Sequence, residues 1–124
     1  MARILIAEDE EPLRALIRRA LADEGHVVVA TADGSEALDV LQSEGGGFDL
    51  LLTDIKMPVM DGIALALAVA RDFPKLPILL MTGYADQRER VSGLEALICD
   101  VIAKPFALAE IKFAVASAVA KGKR

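Results

Sequence analysis

Two periodicities alternate along the chain. Short apolar runs at residues 4–7, 27–30, 50–52, 78–81 and 101–103 are each bounded by turn-forming or polar residues and read as buried strands. Helix-length segments separate them. Leu13, Leu16, Ile17, Ala20 and Leu21 recur at the spacing of one amphipathic helix face, with Pro12 near the start and Gly25 just past the end. A second helix fits residues 35–42 and is closed by Gly45, Gly46 and Gly47; a third fits 63–72 and stops before Pro74. A fourth is expected over 87–97, weakened by Gly93, since an internal glycine costs about 1 kcal/mol relative to alanine. The fifth places Leu108, Ile111, Val115, Ala118 and Val119 on one stripe. Strands alternating with helices in this way predict an α/β fold: a five-stranded parallel sheet covered on both faces.

Bulk properties narrow the picture. A chain of 124 residues, 54% hydrophobic and 4% aromatic, is expected to form one domain over 1–124 around a core of Leu, Ile, Val and Ala, with no effector domain attached. Residues 121–124 read as a short basic fray. The net charge of −5 argues against a nucleic-acid surface. Cys99 is the single cysteine, which excludes an internal disulfide and suits a reducing compartment. The longest unbroken apolar stretch, 63–70, is too short to cross a bilayer, and residues 1–3 lead straight into a strand rather than a leader. A cytoplasmic protein without membrane insertion is expected.

The chemistry lies at the residues that close each apolar run. The first strand ends in Glu8 and Asp9, the third in Asp54, the fourth in Thr82 and the fifth in Lys104 and Pro105. In a parallel sheet the carboxyl ends share one edge, where open α/β folds bind ligands. Alone, Asp54 would be a helix cap, Asp9 a member of a solvated first-turn acidic cluster, Thr82 a hydroxyl bonded to backbone, and Lys104 a surface lysine. Together they place three acids, a hydroxyl and an ammonium in one crevice, an arrangement that is unfavourable unless something pairs the charges. Carboxylates, carbonyls and water suit magnesium, and an anion beside the metal would engage Lys104 and Thr82. That is a site for phosphoryl transfer.

Other chemistries fit poorly. His26, the only histidine, stands at the start of the second strand, away from these groups, and one Cys with one His makes no zinc site. Gly45–Gly47 lacks the Lys-Ser or Lys-Thr of a phosphate loop. Phe48, Phe73, Phe106 and Phe113 are too dispersed to stack bases.

Four motifs then carry a resemblance over the whole chain: Ala7-Glu8-Asp9; Leu52 through Gly62, containing Asp54, Lys56, Met57-Pro58 and Asp61-Gly62; Met81-Thr82-Gly83; and Ala103-Lys104-Pro105-Phe106. The intervals are 45 residues from Asp9 to Asp54, 28 on to Thr82 and 22 on to Lys104. The chain resembles a CheY-type response regulator receiver domain of a bacterial two-component system. The resemblance implies the flavodoxin-like (βα)5 fold with strand order 2-1-3-4-5. It implies that Asp54 accepts a phosphoryl group from a sensor histidine kinase or histidine phosphotransfer protein, with Mg2+ held by Asp9, Asp54, the Lys56 backbone carbonyl and, through water, Glu8. Lys104 would pair with the phosphoryl oxygens, Thr82 would donate its hydroxyl to one of them, and the Lys104–Pro105 bond would be cis. Such a protein is a switch rather than an enzyme, catalysing only its own phosphorylation and dephosphorylation.

Two departures from the family pattern stand out. Val101 occupies a position where many relatives carry an aromatic residue that rotates inward with the threonine. Leu97-Ile98 replaces a common Gly-Ala pair, making the region that reads out phosphorylation unusually apolar. Leu94, Val101, Ala103 and Phe113, on the fourth helix, fifth strand and fifth helix, are expected to form a face for a downstream target protein or a homodimer. Phe113 lies opposite the buried stripe and should be exposed, and Glu110 and Lys112 offer few charges for a salt-bridged dimer. The alternatives are a receiver that folds and binds without taking phosphate, against which the complete acid, Thr and Lys set speaks, and a flavin- or nucleotide-binding relative. The latter would open strand one into a Ser/Thr/Gly-rich loop rather than four acids. An aspartate-nucleophile phosphatase would need a second Asp where Lys56 stands.

Overall fold

A computed structural model describes residues 2–83 and 90–122. The elements are β1 (Arg3–Ala7), α1 (Glu11–Asp23), β2 (Val27–Thr31), α2 (Gly34–Ser43), β3 (Leu50–Asp54), α3 (Gly62–Asp72), β4 (Ile78–Thr82), β5 (Asp100–Ala103) and α4 (Leu108–Gly122). The strands form one parallel sheet in the order β2-β1-β3-β4-β5, as the resemblance implies. Alternation along the strands divides the core in two. Leu5, Leu51 and Leu80 pack with Leu41 of α2 and Leu65 and Val69 of α3. Ile4, Ile6, Leu50, Leu52 and Leu79 pack on the other face with Ile17 and Leu21 of α1 and Ile111 and Val115 of α4.

Register decides where the chemistry lands. Ala7 pairs with Thr31 on one side and Thr53 on the other, Asp54 with Met81, and Thr82 with Ala103. The residues following β1, β3, β4 and β5 therefore emerge side by side on one rim. His26 lies at the opposite rim, where its Nδ1 accepts from Ala2 N at 3.2 Å.

Three expectations are corrected. The runs at 27–30 and 101–103 are not fully buried strands: β2 and β5 are the two edge strands, Val27 is 46% exposed and Ala103 is exposed. Leu16 belongs to the apolar face expected of the first helix but is half exposed, because α1 buries only the narrower stripe through Ile17, Ala20 and Leu21. The helix expected over 87–97 lies partly outside the described residues. Within them, Arg90 and Val91 are helical and the chain then turns, with Gly93 at φ +92 and Leu97 N donating to Leu94 O at 2.8 Å. That positive φ breaks the helix at the one residue whose missing Cβ makes it easy.

Candidate functional site

The acidic rim is built by the turns that leave the strands. β1 runs into Glu8, whose backbone N donates to Thr31 O at 3.0 Å, and whose side chain is completely buried. β3 ends in Asp54, also buried, with Oδ1 accepting from Ile55 N at 2.9 Å. Lys104 leaves β5 and joins the two: its Nζ donates to Glu8 Oε1 at 2.8 Å and to Asp54 Oδ2 at 3.0 Å. Asp9 is exposed beside them, and single carboxylate oxygens of Glu8, Asp9 and Asp54 lie within 4.8 Å of one another. Thr82 is buried at the end of β4, and the Lys104–Pro105 bond is cis. Glu8, Asp9, Asp54, Lys56 and Lys104 line an open cleft of about 650 Å³, together with Leu13, Gly83 and Phe106.

The charges in the cleft are unequal. Burial pushes the Glu8 carboxyl up to about 7; the Asp54 charge adds to the rise, while hydrogen bonds from Lys104 and Glu10 N restrain it. Burial works against the Lys104 ammonium, but its hydrogen bonds to Glu8 and Asp54 outweigh that and hold it above the ordinary lysine value. Three converging carboxylates and one ammonium leave an excess of hard oxygen donors at a spacing that one small divalent cation can bridge. The donor set fits magnesium and not a thiolate-seeking metal.

The loop from β3 to α3 is fixed against this site by its own chemistry. Asp61 caps α3, its Oδ1 accepting from Ala64 N at 2.9 Å, and its other oxygen pairs with Arg90. Burial opposes ionisation of Asp61, yet the Ala64 N–H and the Arg90 guanidinium hold it below the usual aspartate value. Next to it, Gly62 N donates to Ile55 O at 2.8 Å, and the space a Cβ on Gly62 would need is taken by the Asp54 backbone.

Of the residues expected at the phosphoryl site, Glu8, Asp9, Asp54, Lys56 and Lys104 line the cleft, and Thr82 lies buried at the end of β4, next in sequence to Gly83, which does line it. The face expected to bind partners is less uniform. Phe113 is 74% exposed and Ala103 is exposed, but Val101 is half buried against the core, and Leu94 sits in a turn rather than on a helix. Sequence reasoning passed over Arg14, whose Nη1 donates to the Glu8 carbonyl at 2.9 Å. It lies on the polar flank of the α1 stripe, and a cation six residues after Glu8 has no sequence signature of its own.

Comparison with known proteins gives one family. The profile of the response regulator receiver domain matches residues 4–116. The chain is 36% identical over 109 residues to the transcriptional regulatory protein TcrA of Mycobacterium tuberculosis, covering 88% of this chain and 42% of TcrA. It thus spans less than half the length of that curated relative. A receiver domain protein from Clostridium thermocellum superposes with a TM-score of 0.90 at 22% identity, over 99% of this chain and 98% of that one, which shows the shared fold. The response regulator TrrA from Thermotoga maritima, solved in complex with Mg2+ and BeF, gives a TM-score of 0.83 at 30% identity, over 95% of this chain and 99% of TrrA.

Proposed function

The chain belongs to the response regulator receiver domain family, and on that premise we propose that residues 1–124 form a single receiver whose Asp54 accepts a phosphoryl group. One observation carries the reading: the Asp54 carboxylate sits at the end of a central strand, hydrogen-bonded to Lys104 at 3.0 Å and within 4.8 Å of the Glu8 and Asp9 carboxylates. An Asp54 oxygen forms the new O–P bond while the P–N bond of a phosphohistidine donor breaks, and the leaving imidazole keeps the electron pair. An anionic nucleophile meeting an anionic phosphoryl group needs positive charge at the point of transfer. Lys104 supplies it from the chain. Asp9, Asp54 and the Lys56 carbonyl would hold magnesium, with Glu8 acting through water, and the ion when bound would supply further positive charge at the transferring oxygens. Thr82 offers its hydroxyl to one of them. That TrrA carries Mg2+ with BeF supports the same cofactor here. The donor is a sensor histidine kinase or a histidine phosphotransfer protein, and the place of action is the cytoplasm.

Magnesium removal tests the metal. With a small-molecule acyl phosphate donor, labelling is expected to stop in excess chelator and to return on adding magnesium. Asp9→Ala is expected to raise the magnesium requirement about 10-fold or more. Labelling that persists in chelator, or magnesium binding unchanged in Asp9→Ala, would contradict the assignment.

The output surface is the exposed side of β5 and α4, with Leu94, Val101, Ala103 and Phe113 facing a target protein or a second copy. Because Val101 also packs on the core, Phe113 gives the cleaner test. Phe113→Glu is expected to take phosphate normally while losing about 10-fold in target binding or self-association, the roughly 1.4 kcal/mol of one well-placed apolar anchor. Unchanged affinity would place the output elsewhere.

A further inference from the structure

We propose that Arg14 is a positioning residue that sets the geometry of the acidic turn carrying Asp9. The proposal rests on the magnesium-dependent reading above. Four acids follow β1 in succession, Glu8, Asp9, Glu10 and Glu11, and their mutual repulsion works against the close grouping that a metal requires. The Arg14 side chain reaches back over this turn. Its guanidinium Nη1 donates to the Glu8 carbonyl at 2.9 Å, while its backbone N makes the first helical bond of α1, to the Glu10 carbonyl at 2.9 Å, as any residue at this position would. The carbonyl preceding Asp9 is therefore tied to the first turn of the helix by the arginine side chain alone. Two further bonds complete the turn on the Glu8 side: Glu8 N to Thr31 O at 3.0 Å, and Glu10 N to Glu8 Oε2 at 3.0 Å. Asp9 itself is exposed, so its backbone rather than surrounding packing decides where its carboxylate points. The Glu8–Asp9 peptide is held through its carbonyl by the Arg14 guanidinium and the Asp9–Glu10 peptide through Glu10 N by the Glu8 carboxylate, and fixing both fixes the ligand.

Two effects of Arg14 on metal binding oppose each other, which makes the proposal decidable. As a cation beside the acids, Arg14 repels magnesium, and its removal would tighten binding. As the clamp of the turn it organises the ligand, and its removal would weaken binding. The structure assigns the second as dominant. Magnesium titration by calorimetry, alongside thermal unfolding of the metal-free protein, separates them. Arg14→Ala is expected to weaken magnesium binding about 10-fold, the scale set by losing a hydrogen-bond partner behind a metal ligand. Arg14→Lys, which keeps a cationic donor, is expected to recover most of the loss. Arg14→Met keeps the stem without the donors and should behave like Arg14→Ala, which covers failure of the alanine variant to fold. The phosphorylation deficit of these variants is expected to be largest at low magnesium and to shrink toward saturation. Magnesium affinity unchanged or tighter in Arg14→Ala and Arg14→Met, with a lowered melting temperature only, overturns the proposal and leaves the phosphotransfer reading standing. A wild-type protein that binds no magnesium removes both.

Discussion

Gly62→Ala is expected to destabilise the protein by roughly 3 kcal/mol, at the upper end of what overpacking costs. A Cβ built on Gly62 would stand 2.0 Å from the Asp54 carbonyl oxygen and 2.9 Å from both the Asp54 carbonyl carbon and Ile55 Cα. All three are backbone atoms at the end of a buried strand, so no side-chain rotation can relieve the contact. The first turn of α3 or the end of β3 has to move, and with it the Gly62 N to Ile55 O hydrogen bond. The intrinsic preference of a helix for alanine over glycine, about 1 kcal/mol, offsets only part of this. Gly83→Ala is the matched control, because its added Cβ would meet nothing nearer than Lys104 Cβ at 3.8 Å. Urea denaturation should show a large drop in midpoint for Gly62→Ala and little change for Gly83→Ala. Equal midpoints for Gly62→Ala and wild type would show that the loop does not abut β3 as described.

Asp54→Asn is expected to abolish phosphorylation without unfolding the protein. The amide has nearly the same shape as the carboxylate and can still accept from Ile55 N, while Lys104 keeps its bond to Glu8. It also removes one cause of the raised Glu8 carboxyl. A carboxyl held near 7 in the folded protein, against an ordinary value of 4.5, binds its proton more tightly when folded. Its contribution to stability is therefore complete below about 4.5 and is lost as pH rises through about 7. In chelator, the wild type should lose stability across that window, and Asp54→Asn should lose less. A steeper loss in the variant would contradict the coupling between Asp54 and Glu8.

The sheet and its chemical rim were legible in the sequence because both are set by local pattern. Four of the five apolar runs lead into a residue that carries chemistry, so recognising the strands also located Glu8, Asp54, Thr82 and Lys104. Pairing within the rim was less legible. Nothing in the spacing says that the Lys104 ammonium bridges Glu8 and Asp54, because that depends on β5 lying two strands from β3 and on the path of a partly buried side chain. Arg14 escaped for a similar reason: its guanidinium bonds to a carbonyl, and a carbonyl has no sequence identity. The exposures of Leu16 and Val27 were misjudged because periodicity gives a direction but not what lies in that direction. An edge strand and the margin of a helix stripe look apolar whether covered or not. At 92–97 the local glycine signal at Gly93 prevailed over a helical pattern that few buried contacts reinforce.

The central claim is that Asp54 itself takes the phosphoryl group, and peptide mapping by mass spectrometry tests it most directly. Wild-type protein is incubated with magnesium and a phosphodonor, trapped at the acyl phosphate and digested. The expected result is one phosphate, stable to acid and labile to base, on the peptide containing Asp54, and none anywhere in Asp54→Asn. Efficient labelling of the Asn variant, or a wild-type phosphate mapped to Asp9 or another acid, would contradict it.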